Sequence, residues 1–174
     1  MVRALIIPAA DHEPVRECEV ETLEDYQAVV GGWIEPVDIP VLGVTVYVNE
    51  EGLLRQLAFN PRATFLWWYF VPEARQTAML VGPVLVVGLP DRSGDSTGVP
   101  NEVAAMLTQP GEWRVEVRTV GDPKWYRNQM TYSDYFEALV WAMLTLERWS
   151  AAEYVRVVPV LTDELTSPAA PSAA

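Results

Sequence analysis

The chain has 174 residues, half of them apolar, and carries 24 Asp and Glu against 12 Lys and Arg, a formal net charge of −12. Such a chain can bury a core as one ordinary domain, or as a small domain with an added unit. Its charge disfavours direct binding to a nucleic-acid backbone, which needs clustered cations. No apolar run approaches the roughly 20 residues that span a bilayer, and the first run, broken at Pro8, is too short for a signal peptide; a cytoplasmic protein without membrane contact is expected.

Residues 3–8 read as a short buried strand ended by Pro8. A loop, AADHEP, leads to residues 15–21, where Val15, Glu17, Glu19 and Glu21 alternate with Arg16, Cys18 and Val20. That pattern predicts a strand with a solvated acidic face, paired to the first strand as a hairpin. Thr22 is a suitable N-cap, with Asp25 completing an approximate capping box. The helix is expected over residues 23–30, closed by Gly31-Gly32. Residues 33–39, holding Pro36 and stopped by Pro40, predict an edge strand. A second strand is expected over residues 45–49, ended by a tight turn at Asn49-Glu50-Glu51-Gly52, where Asn and Gly tolerate positive φ. Asn60-Pro61 opens a helix carrying Phe65, Leu66, Trp67, Trp68, Tyr69 and Phe70. Apolar nearly all round, it is either central or an aromatic surface.

After a mixed connector at residues 72–79, LVGPVLVVGL at residues 80–89 reads as a buried strand. DRSGDSTG at 91–98 is a polar loop without the phosphate-loop pattern. A short helix is expected from Val99-Pro100-Asn101-Glu102 to Leu107, stopped by Gln109-Pro110-Gly111. From Glu112 the pattern changes. Trp113, Val115, Val117 and Thr119 alternate with charged residues as a half-buried strand, and Gly121-Asp122-Pro123 turns the chain. KWYRNQMTY at 124–132 suits an exposed binding loop or a snorkelling cover over the core. Thr131 or Ser133 is expected to cap a broadly apolar helix over residues 134–149, and residues 153–161 to form the last strand. The tail from Thr162 reads as disordered.

ALIIPA, LEDYQAVVGGWIE, TVYVNEEGLLRQL, NPRAT, GPVLVVGL and the polar loop leading to VPNEV follow one another over residues 3–107. In that order they resemble domain-of-unknown-function family 3846, small proteins of actinobacteria, their phages and plasmids. The resemblance implies no activity, cofactor or catalytic residue; by analogy it implies an accessory or host-interaction role for a phage or mobile element.

The fold expected is α+β, a mixed sheet of about six or seven short strands with three or four helices. Residues 1–111 would form the family-like core, 112–161 a β-α-β extension packed on or extending the same sheet, and 162–174 the tail. No enzyme chemistry stands out. His12, the one histidine, lies in a loop beside Asp11 and Glu13, and a lone histidine makes no usual metal site. Glu17, Glu19 and Glu21 at alternate positions resemble a crude cation site, with a solvated strand face as the simpler reading. Cys18 rules out an internal disulfide and any cysteine-based structural zinc site. No catalytic residue, cofactor or metal is expected.

Acidity is concentrated early: residues 1–51 hold eleven of the 24 acids against only Arg3 and Arg16. The leading expectation is a non-enzymatic interaction protein that meets a basic protein partner through Glu17, Glu19, Glu21, Glu24, Asp25, Glu50 and Glu51. A nucleic-acid-binding partner, engaged by mimicry of DNA charge, is its specific form. One alternative is a homodimer through an aromatic interface of Trp67, Trp68, Tyr69, Trp125 and Tyr126. The other is a small-anion or nucleotide site at the helix start, where Asn60, Arg62 and Thr64 converge with free amides.

Overall fold

The computed structural model describes residues 1–160. The chain divides into two compact units, Met1–Gln109 and Pro110–Ala174. The α+β class is as expected, with four α-helices and eight strands among the described residues; all their strand pairs are antiparallel, and they form two sheets in place of one mixed sheet. Expectations for residues 161–174, the disordered tail and the last residue of the final strand, lie outside the described residues. No helix among the described residues is long and apolar enough to cross a membrane.

The first unit is built on β1 (Val2–Ile7), β2 (Arg16–Val20), β3 (Ile34–Ile39), β4 (Val44–Asn49) and β5 (Val84–Gly88), in the order β2-β1-β5-β4-β3. The central three strands are apolar on both faces, as strands covered on both sides must be. On one face Ala4, Val20, Leu85 and Val87 pack with Tyr26 from α1 (Leu23–Val30). On the other, Leu5, Ile7, Val44, Val46, Val84 and Val86 are fully buried. β3 lies at the edge, where Pro36 costs no ladder bond. Thr22 caps α1 and Asp25 completes the capping box, and Gly31 closes the helix at φ 76°.

The turn after β4 works differently from the sequence reading. Neither Asn49 nor Gly52 has positive φ; Gln56 does, at 54°. Asn49 accepts from the Glu51 amide at 2.9 Å and donates to the Val30 carbonyl at 3.1 Å, tying α1 to β4. Gly52 is needed for space, since a Cβ there would stand 2.7 Å from a Val81 methyl. The buried run at residues 80–89 also splits. Gly82, at φ 73°, and Pro83 turn the chain before β5, leaving Val81 in a bridge to Phe59.

Helix α2 (Pro61–Phe70) begins the deepest polar cluster of this unit. Asn60 is fully buried; its carbonyl oxygen accepts from the Ala63 amide at 3.1 Å, and its side-chain nitrogen donates to the Ile7 and Gly82 carbonyls at 3.0 and 2.9 Å. Thr64 accepts from the Leu80 amide at 2.9 Å and donates to the Leu80 carbonyl at 3.2 Å. The Arg62 guanidinium donates to the carbonyls of Pro8, Ala10 and Glu13, holding the loop after β1. Helix α3 (Asn101–Thr108) starts where Asn101 accepts from Arg3 at 2.8 Å.

The second unit holds β6 (Trp113–Thr119), β7 (Tyr126–Arg127), α4 (Tyr135–Arg148) and β8 (Ala152–Pro159), with sheet order β7-β6-β8. It is thus β-β-α-β, because the segment 124–132, expected as an exposed loop or a cover over the core, contributes a two-residue strand. Asp134, not Thr131 or Ser133, caps α4, accepting from the Glu137 amide at 3.0 Å. Val115, Val117, Tyr132, Ala138 and Ala142 form this unit's core.

Replacing Asn60 by Ala removes the cap and leaves two buried carbonyls without their donor. Urea unfolding of Asn60→Ala should show a loss of about 2–4 kcal/mol, at the upper end for a capping residue because it breaks three buried bonds together. An unchanged midpoint would contradict the structural role assigned to this side chain.

Candidate functional site

One end of the first sheet, where β2 finishes and α1 begins, gathers several carboxylates around a groove. The groove has a volume of about 430 Å³ and lies on the α1 face, lined by Val2, Val20, Ile34, Tyr26 and Tyr47, with Glu21 and Asp95 among its polar residues. Tyr26 and Tyr47 meet edge to face, their centroids 5.0 Å apart at 87°. Glu21 is exposed and stands 3.5 Å from the amino group of Met1. Asp95 is held by the loop 91–98, where Asp91 accepts from the amides of Ser93 and Asp95 at 2.8 and 3.1 Å and Gly94 supplies φ 88°.

Among the sequence-predicted acids, Glu21 lines this groove, Glu24 is exposed on the first turn of α1, and Asp25 is spent on the capping box. Its carboxylate accepts from the Thr22 and Glu21 amides at 2.8 and 2.9 Å. Those two backbone bonds, the Thr22 one foremost, hold the Asp25 carboxyl below the usual aspartate range. Glu17 and Glu19 pair with Leu5 and Arg3 across β1. Glu17 forms a two-point ion pair with Arg3, at 3.0 and 2.6 Å, and the Arg3 bond draws its carboxyl downward as well. Glu50 and Glu51 stand elsewhere. They follow the opposite end of β4, three strands from β2, which separates them from Glu21 by roughly 14 Å across the strands and roughly 26 Å along them.

Cys18, between the two strand carboxylates in sequence, is half-buried; desolvation pushes its thiol up against a smaller opposing pull from Arg16, so it remains a protonated thiol at neutral pH. His12 is exposed, 3.9 Å from Asp11. Among the described residues, no group of three or more His, Cys, Asp or Glu is placed to hold a metal ion.

Asn60, Arg62 and Thr64 do come together, but in the buried cluster described above, where their polar atoms serve backbone groups. Asn60 caps α2, Arg62 holds the loop after β1, and Thr64 bonds Leu80. Of the predicted aromatic interface, Trp67, Trp68 and Tyr69 lie half-buried on α2 in the first unit, and the Trp68 indole donates to the Ala78 carbonyl at 2.8 Å. Trp125 and Tyr126 belong to the second unit. There Arg118 and Arg156 lie 5.5 and 4.3 Å from the Trp125 ring centre, and the Tyr126 hydroxyl donates to Asp122 at 2.5 Å.

Three groove residues escaped the sequence reading. Tyr26 reads as an ordinary apolar helix position and Tyr47 as an ordinary strand position, so neither announces a shared groove. Asp95 was legible only as part of a polar loop; what places it beside Glu21 is the return of β5 to the same sheet end as β2.

Residues 2–112 match the sequence model of a family described as "Domain of unknown function (DUF3846)". No curated protein and no solved structure matches the chain.

Because Asp25 is depressed in the folded state, its contribution to stability is present above the unfolded aspartate value, about 3.9, and is lost as pH falls through the lower folded value. Denaturant unfolding should therefore separate wild type from Asp25→Asn at neutral pH, and the separation should shrink below about pH 4. A pH-independent difference would show that the carboxylate charge at the cap is immaterial.

Proposed function

Since the chain belongs to the DUF3846 family, a domain of unknown function, through residues 2–112, we propose that it is a cytoplasmic, non-enzymatic interaction protein that receives a basic segment of a protein partner at the acidic end of its first sheet. The observation that carries this reading is the groove in which Glu21 and Asp95 flank the Tyr26–Tyr47 pair. A Lys or Arg side chain suits such a place: its aliphatic stem packs against ring and Val surface while its head meets the carboxylates. Glu24, exposed on the first turn of α1, adds to the field that draws the segment in.

The wider charge supports the same reading. Residues 1–109 hold fifteen Asp and Glu against six Arg. Four of those six are engaged, Arg3 with Glu17 and Arg55, Arg62 and Arg75 with backbone carbonyls. Glu50 and Glu51 fall outside the proposed interface because neither lines the groove and the sheet order separates them from Glu21. That separation favours recognition of a short basic segment over mimicry of a long run of phosphates.

Titration with a short peptide of alternating Lys and Ala, followed by calorimetry at low and high salt, tests the proposal. Binding should weaken with salt, and Glu21→Gln with Asp95→Asn should lower affinity about 3- to 10-fold, the scale of two partly exposed ion pairs. At physiological salt Glu50→Gln with Glu51→Gln should leave the affinity within about twofold, since those charges lie well beyond the screening length of about 8 Å from Glu21. The opposite ranking of the two double variants would overturn the reading.

A further inference from the structure

We propose that the cavity between the second half of α1 and the loop after β1 binds a small zwitterion with an apolar body, an amino acid or a short peptide, whose carboxylate meets Arg16 and whose ammonium meets Glu13. The cavity has a volume of about 630 Å³, within the roughly 300–1,000 Å³ that holds a small molecule. It shares no residue with the groove beside Glu21. That groove takes Leu23 and Tyr26 from α1, whereas this cavity takes Ala28 and Val29.

The buried polar cluster at the start of α2 sets the cavity's lining. Arg62 donates to the carbonyls of Pro8, Ala10 and Glu13 at 2.7, 2.7 and 2.8 Å, which fixes the lining loop at three points. Asn60 donates to the Ile7 and Gly82 carbonyls, and the Gly82 amide donates to the Ala58 carbonyl at 2.7 Å. Ala58 and Pro83, which also line the cavity, are held by those bonds. A lining fixed before the ligand arrives loses little freedom on binding. Pro8, Ala9, Ala10, Ala28, Ala58 and Pro83 are all short, so they bound the space without filling it.

The charged residues of the lining are Glu13 and Arg16, of opposite sign and both exposed. Among the described residues, no hydrogen bond or ion pair engages either side chain, and none joins the two. This pair decides the charge of the ligand. A simple carboxylate would be drawn to Arg16 and repelled by Glu13, and a simple amine the reverse. A molecule with both ends satisfies both residues, while its apolar body lies on the Ala and Pro lining.

Titration of the full chain at about pH 6.5, where α-amines are charged, followed by amide NMR shifts, tests this. The probes are L-leucine and the tripeptide Ala-Leu-Ala, each also as its N-acetyl form, which lacks the ammonium, and its amide, which lacks the carboxylate. At least one zwitterion should move the Ala9, Ala10 and Ala28 signals, and the tighter of the two tells a free amino acid from a peptide as the source. Its N-acetyl and amide forms should each bind about 3- to 5-fold more weakly, the scale of one exposed ion pair. Arg16→Gln should weaken the zwitterion by a similar factor and leave the amide form no weaker. Ala28→Trp, at an exposed helix position, should fill the cavity and abolish binding. Shifts with neither zwitterion, a one-charge form that binds as tightly, an Arg16→Gln variant of unchanged affinity, or binding that persists in Ala28→Trp would each overturn the proposal.

Discussion

Buried carbonyl groups at the ends of the central strands are the constraint on which the first unit depends. Ile7, Pro8, Leu80 and Gly82 bring their oxygens to one place as β1 ends and the chain approaches β5. Left unpaired, each would cost free energy comparable to the bonds that hold the sheet. The segment Asn60 to Thr64 supplies amide, guanidinium and hydroxyl donors from a single turn of helix, and Asn60 caps that helix with the same side chain. The cluster shows how an arginine is accommodated at a buried helix start: three carbonyl dipoles accept from its guanidinium. It also explains why a helix start that has the composition of an anion site is filled from within.

The groove is a consequence of sheet width. α1 must carry the chain from β2 at one edge to β3 at the other. Its eight residues extend about 12 Å, whereas five strands span roughly 19 Å between the outer axes. The helix therefore covers the middle of its face, where Tyr26 meets Tyr47, and leaves the sheet end beside its first turn uncovered. The first turn is also where acidic residues stabilise a helix, through its unpaired amides and dipole. Local helix chemistry and the shortfall in coverage thus place carboxylates beside the Tyr26–Tyr47 ring pair.

The second unit treats its two sheet faces differently. Val115 and Val117 turn toward Ala138 and Ala142 of α4, and the opposite face carries Glu116, Arg118, Tyr154 and Arg156 as an ion pair joined to cation–ring stacks. Glu116 is buried to 9% exposure, and the Arg156 guanidinium at 2.6 Å makes that burial tolerable. Charges arranged in this way hold the three strands in one register, because a shift of one residue would move every cation to the α4 side.

Local elements were legible where one residue type has one use. Thr22 with Asp25, Gly31, Asn60-Pro61 and the alternation of residues 113–119 each prescribe geometry within a single turn or strand, and the structure forms them there. The family resemblance was legible for the same reason, as an ordered series of such local signals. What tertiary structure alone decided was which distant residues share a place. Asp95 joins Glu21, Glu50 departs from it, and residues 113–159 form a separate sheet, all through strand order, which alternation within a strand does not encode. Arg62 shows the same division. Its position on a helix was readable, but the three carbonyls that claim it come from residues about fifty positions earlier, and only the closed fold brings them within reach.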